Sequence, residues 1–320
     1  MPLHPVIQSA LSAAIGSVPY HAMPVAQARA QARLGYPTVV PPFPVGAVHD
    51  VQMAGPAGAM QLRIYCPQGA GPFPVVVFFH GSGFVVLDLD THDNICRRLC
   101  AGASCMVVSV DYRLAPEHKF PAAPDDCLAA TRWVAENAAV YGGDATRMVV
   151  AGDSAGGCLA AVTAIRIRDE GGPVLTGQLL WYPVTDYPST QPHSYVAYGA
   201  GYGLTGEGMQ WFWDQYLAEP SLASHAHVSP LRMDTPVGLP AAYVMVAEFD
   251  VLRDEGEAFA RRLEASGIET VMRCQAGMNH GFLKYTGTIE EADAAMEDAC
   301  RWLRRVLANK TAAAGAGVPC

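Results

Sequence analysis

The amino-acid sequence predicts an α/β fold in which a mostly parallel sheet is covered by helices on both faces. Short runs rich in Val, Ile and aromatics recur along the chain, they are continuously apolar, and stretches of helical periodicity separate them. A continuously apolar run is a strand buried on both faces, as in parallel sheets packed between helices. Alternation of such strands with helices implies a doubly wound sandwich.

The elements follow in order. Segments 47–53 and 60–66 alternate apolar with polar residues and are joined by the Gly/Pro/Ala-rich stretch 54–59, which predicts an antiparallel hairpin at the sheet edge. Buried strands are expected at 74–80, 105–112, 147–153, 177–183, 241–248 and 269–274, with helices at about 89–103, 122–139, 155–169, 253–266 and 288–308. The last helix carries Glu290, Glu291 and Asp293 early and Arg301, Arg304 and Arg305 late, matching the helix dipole.

Two stretches break the rhythm. Residues 1–45 read as helical and then proline-rich, and 184–237 is a long insertion of Tyr, Trp, Gly and Met between two core strands. Insertions of that length in a compact domain are usually functional. Both are expected to form one cap over a core made of 46–183 and 238–310, with the Ala/Gly-rich tail 311–320 frayed.

Composition narrows the function. A 51% hydrophobic content over 320 residues supplies a large core, and the net charge of −9 leaves no basic stripe for phosphates, so nucleic acid is excluded as an expected partner. The N-terminus has Pro2 and Pro5 where a positively charged leader region would lie, and no apolar run approaches the ~20 residues that span a bilayer. Neither a signal peptide nor stable membrane insertion is expected. Nine dispersed cysteines, several inside apolar stretches, read as free thiols in a reducing compartment such as the cytoplasm. Cys96 and Cys100 stand one helical turn apart, but no second Cys or His pair with zinc-type spacing accompanies them, so no metal site is expected.

The chemistry concentrates at three places. Gly152-Asp153-Ser154-Ala155-Gly156 is a G-x-S-x-G set between the strand RMVVA and the helical run CLAAVTAIRIR. A sharp strand-to-helix turn forces its serine into a strained backbone and exposes the hydroxyl, so Ser154 is the candidate nucleophile. His80-Gly81-Ser82-Gly83 follows the strand PVVVFF at the same sheet edge, where small residues let backbone amides approach a developing oxyanion. Gly81, Ser82, Gly83 and Ala155 form that candidate oxyanion group, with the donors expected from Ser82, Gly83 and Ala155, and His80 reads as structural. A base and an acid should follow in chain order. Asp250 is the first carboxylate beyond the strand AAYVMVAE, and His280 lies in a loop after ETVMRC. Asp254 and Glu255 compete for the acid role but sit at a helix start, where acids are ordinary dipole partners.

Together, HGSGFVVLDLDTHDNICRRL, VSVDYRLAPEHKFPAAPDD, GDSAGG, FDVLRDEG and NHGF resemble the hormone-sensitive-lipase-like (family IV) bacterial esterases over roughly residues 45–308. The resemblance implies an α/β-hydrolase core with an N-terminal cap, carboxylesterase activity on short- to medium-chain acyl esters, no cofactor, and frequent homodimers. It assigns Ser154, Asp250 and His280 to the triad, and oxyanion donors to Ser82, Gly83 and Ala155. Two positions depart from the family pattern: Ser82 replaces the middle of three glycines, adding a hydroxyl near the oxyanion, and Val251 replaces a proline. Amide or lactam hydrolysis on the same triad stays open, and a non-catalytic ligand-binding relative is disfavoured because His280 is retained.

Overall fold

The structure, a computed structural model, describes residues 1–36, 38–188 and 192–308. Eight strands form one sheet: β1 (Ala47–Gly55), β2 (Gly58–Cys66), β3 (Phe73–Phe79), β4 (Met106–Val110), β5 (Gly143–Asp153), β6 (Gly177–Trp181), β7 (Ala241–Phe249) and β8 (Thr270–Asn279). Their order is β1-β2-β4-β3-β5-β6-β7-β8, and β2 alone runs against the others. This is the α/β-hydrolase arrangement the sequence predicts. Residues of successive strands divide between two cores: Val75, Val77 and Phe79 face one, Val76 and Phe78 the other. Burial on both sides is why these runs contain no polar alternation.

Nine α-helices occupy the described residues: α1 (Pro5–Ala13), α2 (Val25–Leu34), α3 (Asp93–Ala103), α4 (Ala122–Asn137), α5 (Ala155–Glu170), α6 (His193–Tyr198), α7 (Gly206–Tyr216), α8 (Arg253–Ala265) and α9 (Glu290–Val306). None is long and apolar enough to cross a membrane. The 311–320 tail lies outside the described residues.

The elements stand where the sequence puts them, with instructive differences at their ends. The hairpin connection is tighter than the 54–59 linker expected, because Gly55 pairs with Gly58 and only Pro56-Ala57 turns the chain. Helix α3 starts at Asp93, not 89, because the Asp88 carboxylate accepts the amides of Asp90 and Thr91 and folds the preceding residues into a turn. Strand β8 runs on to Asn279, five residues past the expected end. Its pairing with β7 shifts register between Ala247 and Phe249, while Gly277 takes φ +74° and donates its amide to Glu248. A glycine in a left-handed conformation absorbs such an irregularity without steric strain. His280 therefore leaves a strand end directly, and not from the middle of a loop.

Candidate active site

The C-terminal ends of β3, β5, β7 and β8 lie along one edge of the sheet, the edge where open α/β sheets bind ligands. Each delivers one part of the site.

At the end of β5, the buried run Met148–Ala151 stops at Gly152, and Ser154 adopts φ 57°, ψ −122°. A non-glycine residue there is strained and must be held by its surroundings. The Ser154 amide donates to the Trp181 carbonyl at 2.8 Å, and its carbonyl accepts the amides of Cys158 and Val184, both at 3.1 Å. Gly152 and Gly156 let α5 pass this close, since a Cβ on Gly156 would overlap the Phe79 carbonyl and one on Gly152 the Gly156 backbone.

Ser154 Oγ lies 2.8 Å from His280 Nε2, and His280 Nδ1 lies 2.7 Å from Asp250 Oδ2. A carboxylate can only accept, so Nδ1 carries the proton and Nε2 is left as an acceptor for the serine hydroxyl. Asp250 is buried at the β7 end, and its other oxygen accepts the Leu252 amide at 2.9 Å. The Tyr182 ring meets the His280 ring edge-on at 4.9 Å. These contacts leave the imidazole one orientation.

The competing acids are engaged elsewhere. Asp254 accepts the Ser194 amide at 2.8 Å and pairs with Arg253, and Glu248 binds the Gly277 amide. Glu255 accepts the amides of Thr185 and Asp186, and burial pushes its carboxyl well above the usual range.

At the end of β3, the His80 loop faces the same cavity. Ser82 and Gly83 amides and the Ala155 amide at the start of α5 donate to no other group among the described residues. The Gly81 amide, grouped with these in the sequence, donates to Asp153 Oδ1 at 2.7 Å and so anchors the loop. Ser82 Oγ, expected near the oxyanion, turns into the protein instead, 2.7 Å from the Phe84 amide and 2.7 Å from Tyr112 Oη. His80 is fully buried, its Nδ1 3.2 Å from the Gly81 carbonyl, and burial with the neighbouring His92 pushes its imidazole down to about 4.

The cavity measures about 720 Å³ and is lined by both segments outside the core: Leu11, Ile15 and Tyr20 from one, Met209, Phe212 and Trp213 from the other. Among the aromatics of the insertion, Phe212 and Trp213 line it, whereas Tyr198 and Tyr202 pack on Phe249. The sequence did not single out the α1 residues or Lys284, whose ammonium sits 5.3 Å from the Tyr36 ring centroid in the same lining. No signal short of the fold places them there. No group of three or more His, Cys, Asp or Glu side chains could hold a metal among the described residues. Cys96 and Cys100 are buried thiols, the second pushed up to about 12 by burial.

With this geometry in place, the similarities are informative. A family model described as alpha/beta hydrolase fold matches residues 76–284. The chain is 44% identical over 272 residues to Esterase LipI of Mycobacterium tuberculosis, covering 83% of this chain and 84% of that protein. It is 38% identical over 240 residues to an ethyl acetate hydrolase of Pseudomonas putida, covering 73% and 74%. Among solved structures, a hyperthermophilic esterase from the archaeon Pyrobaculum calidifontis superposes with a TM-score of 0.92 at 39% identity, covering 95% of this chain and 99% of that one.

Proposed function

The chain belongs to the hormone-sensitive-lipase-like family of the α/β-hydrolase fold and is a carboxylic ester hydrolase, and from that premise we propose that it cleaves short- to medium-chain acyl esters by serine catalysis. Ser154 is the nucleophile, His280 the general base and acid, and Asp250 the carboxylate that orients and charges the histidine. The observation that carries this is the line Ser154 Oγ, His280, Asp250, with distances of 2.8 and 2.7 Å.

In the cycle, Ser154 Oγ attacks the ester carbonyl while His280 Nε2 takes its proton. The carbonyl oxygen becomes an oxyanion held by the Ser82, Gly83 and Ala155 amides. His280 returns the proton to the departing alcohol, leaving an acyl group on Ser154. Water, deprotonated by the same imidazole, then attacks the acyl carbonyl, and the acid leaves as His280 returns that proton to Ser154 Oγ. Asp250 stays ionised and stabilises the imidazolium at each transfer. Residues 1–45 and 184–237 act as one cap whose apolar side chains receive the acyl or alcohol chain.

Ser154→Ala tests this. The variant should fold with an unchanged melting temperature yet lose several orders of magnitude in kcat on p-nitrophenyl esters, since oxyanion hole and binding alone leave only ~10³–10⁴-fold over water. Near-normal turnover would refute the assignment. In the wild type, esters should be preferred over matched amides, and an acyl-length series should peak at short to medium chains.

A further inference from the structure

The position where the family pattern has glycine and this chain has Ser82 is tied into a closed set of hydrogen bonds. Tyr112, just beyond β4, has its hydroxyl 2.6 Å from the His80 carbonyl and 2.7 Å from Ser82 Oγ. A carbonyl oxygen can only accept, so the Tyr112 proton goes to His80. The Tyr112 oxygen then accepts from Ser82, and the single Ser82 hydroxyl proton is used there. Ser82 Oγ in turn accepts the Phe84 amide at 2.7 Å. Every direction in the set is thereby fixed, and no proton of Ser82 Oγ remains for a substrate oxygen.

The set brackets the loop. His80 lies before the two free amides and Phe84 after them. Between these ends the backbone passes through φ +53° at Gly83 and φ +64° at Phe84, the second a left-handed position for a bulky residue. Such a conformation lasts only where the surroundings over-determine it. The Tyr112 ring is also stacked on His80 at 4.4 Å and 15°, and both Ser82 and Tyr112 are buried. On the opposite side Phe212 packs so close to Gly83 that a Cβ there would overlap its ring. The loop is thus held from behind by two hydroxyls and in front by one aromatic side chain.

We propose that Ser82 is a positioning residue, forming with Tyr112 a hydroxyl clip that holds the Ser82 and Gly83 amides in the geometry the oxyanion needs. This rests on the serine-esterase reading above. Preorganised donors act only if they already point where charge develops, and with glycine here Tyr112 would still hold the His80 end of the loop but would have no link to its Phe84 end. Ser82 lines the cavity, but its hydroxyl is turned away towards Tyr112 and the Phe84 amide, so the clip acts on the oxyanion donors and its effect should fall on kcat and spare KM.

The test compares Ser82→Ala, Tyr112→Phe and the double variant on a p-nitrophenyl ester, with thermal melts and inhibition by a trifluoromethyl ketone, which forms an oxyanion-bearing adduct with the serine. Each single variant should lose roughly tenfold to a hundredfold in kcat, less than the ~10²–10³ of a whole donor, with KM within about twofold. Ketone affinity should fall in parallel with kcat. The double variant should be no worse than the worse single one, because either change opens the same clip. Wild-type kcat and ketone affinity in Ser82→Ala would overturn the proposal, as would a lowered melting temperature without loss of kcat. A kcat loss in Ser82→Ala that Tyr112→Phe does not share would also overturn it, making the hydroxyl itself a donor. If Tyr112→Phe does not fold, Ser82→Ala with the ketone decides alone. Failure of the parent reading is separate: it would appear as activity in Ser154→Ala.

Discussion

Two Asp–His pairs stand at one edge of the sheet, their carboxylates at the ends of β5 and β7, and they are not equivalent. Asp250 and His280 meet at 2.7 Å, and the far nitrogen of His280 reaches the Ser154 hydroxyl. Asp153 and His92 approach to 3.3 Å without hydrogen-bond geometry, and the other nitrogen of His92 meets only the hydroxyl of its neighbour Thr91 at 3.1 Å. His92 is fully buried and stacked on Tyr36, whereas His280 opens into the cavity. The residue types are the same. What separates the proposed base from a strut is the second nitrogen: one points at a strained, reachable hydroxyl, the other into the protein. Asp153 spends its remaining capacity on the Gly81 amide and thereby on the oxyanion loop.

This contrast can be broken by substitution. Changing His280 to Ala should remove the base and reduce kcat by on the order of 10⁶-fold, with little change in melting temperature. His92→Ala should do the reverse: leaving a buried carboxylate beside a cavity costs roughly 2–4 kcal/mol of stability, while kcat per folded molecule falls less than the ~10²–10³ of a lost oxyanion donor. Comparable kcat losses in the two variants would erase the distinction.

The acids give a smaller version of the same test. Asp250→Asn should lower kcat by about 10⁴-fold, since an amide favours the wrong imidazole tautomer, and Asp153→Asn should act mainly through stability and a modest loosening of the loop. A crippling Asp254→Asn beside an active Asp250→Asn would move the orienting role one helical turn along.

The last effect is on acid stability, and it belongs to the structural pair's surroundings. His80 sits at about 4 in the folded protein, below its ordinary value, chiefly because burial disfavours the cation. A lowered folded value gives stability that is present above the unfolded value of ~6.5 and lost as pH falls through 4. Asp153, held low against burial by His92, loses its contribution further down, as pH passes below the ordinary carboxylate range. The unfolding free energy from urea titrations should therefore drop between about pH 6.5 and 4, by on the order of 3 kcal/mol from His80 alone. His80→Gln should flatten that interval; an unchanged slope would assign the loss to other groups.

Much of this was legible in the sequence, for physical reasons that name themselves. Buried strands announce themselves because both faces must be apolar, and the β1–β2 hairpin by its alternation; the expected 269–274 strand is the exception, an edge strand whose Met272, Arg273 and Cys274 are exposed. Ser154 and Asp250 stand out in the sequence because each follows a buried strand directly, and His280 through its place after them in chain order; the structure brings the three side chains together. Strand β8 was cut short at Cys274 because a left-handed glycine, Gly277, carries it through an irregular pairing that periodicity does not display. The Ser82 hydroxyl was legible as a departure but not as a contact, since its partner Tyr112 is 30 residues away. The Asp153–His92 pair and the lining from Leu11 and Ile15 depend on tertiary packing alone.

The most direct measurement of the central claim is rapid-quench mass spectrometry of the enzyme turning over a slowly deacylating p-nitrophenyl ester. One acyl group should appear per chain, on the peptide that contains Ser154, with a matching burst of p-nitrophenol, and neither should occur in Ser154→Ala. An acyl group on any other residue, or full turnover with no covalent intermediate and no dependence on Ser154, would contradict the account.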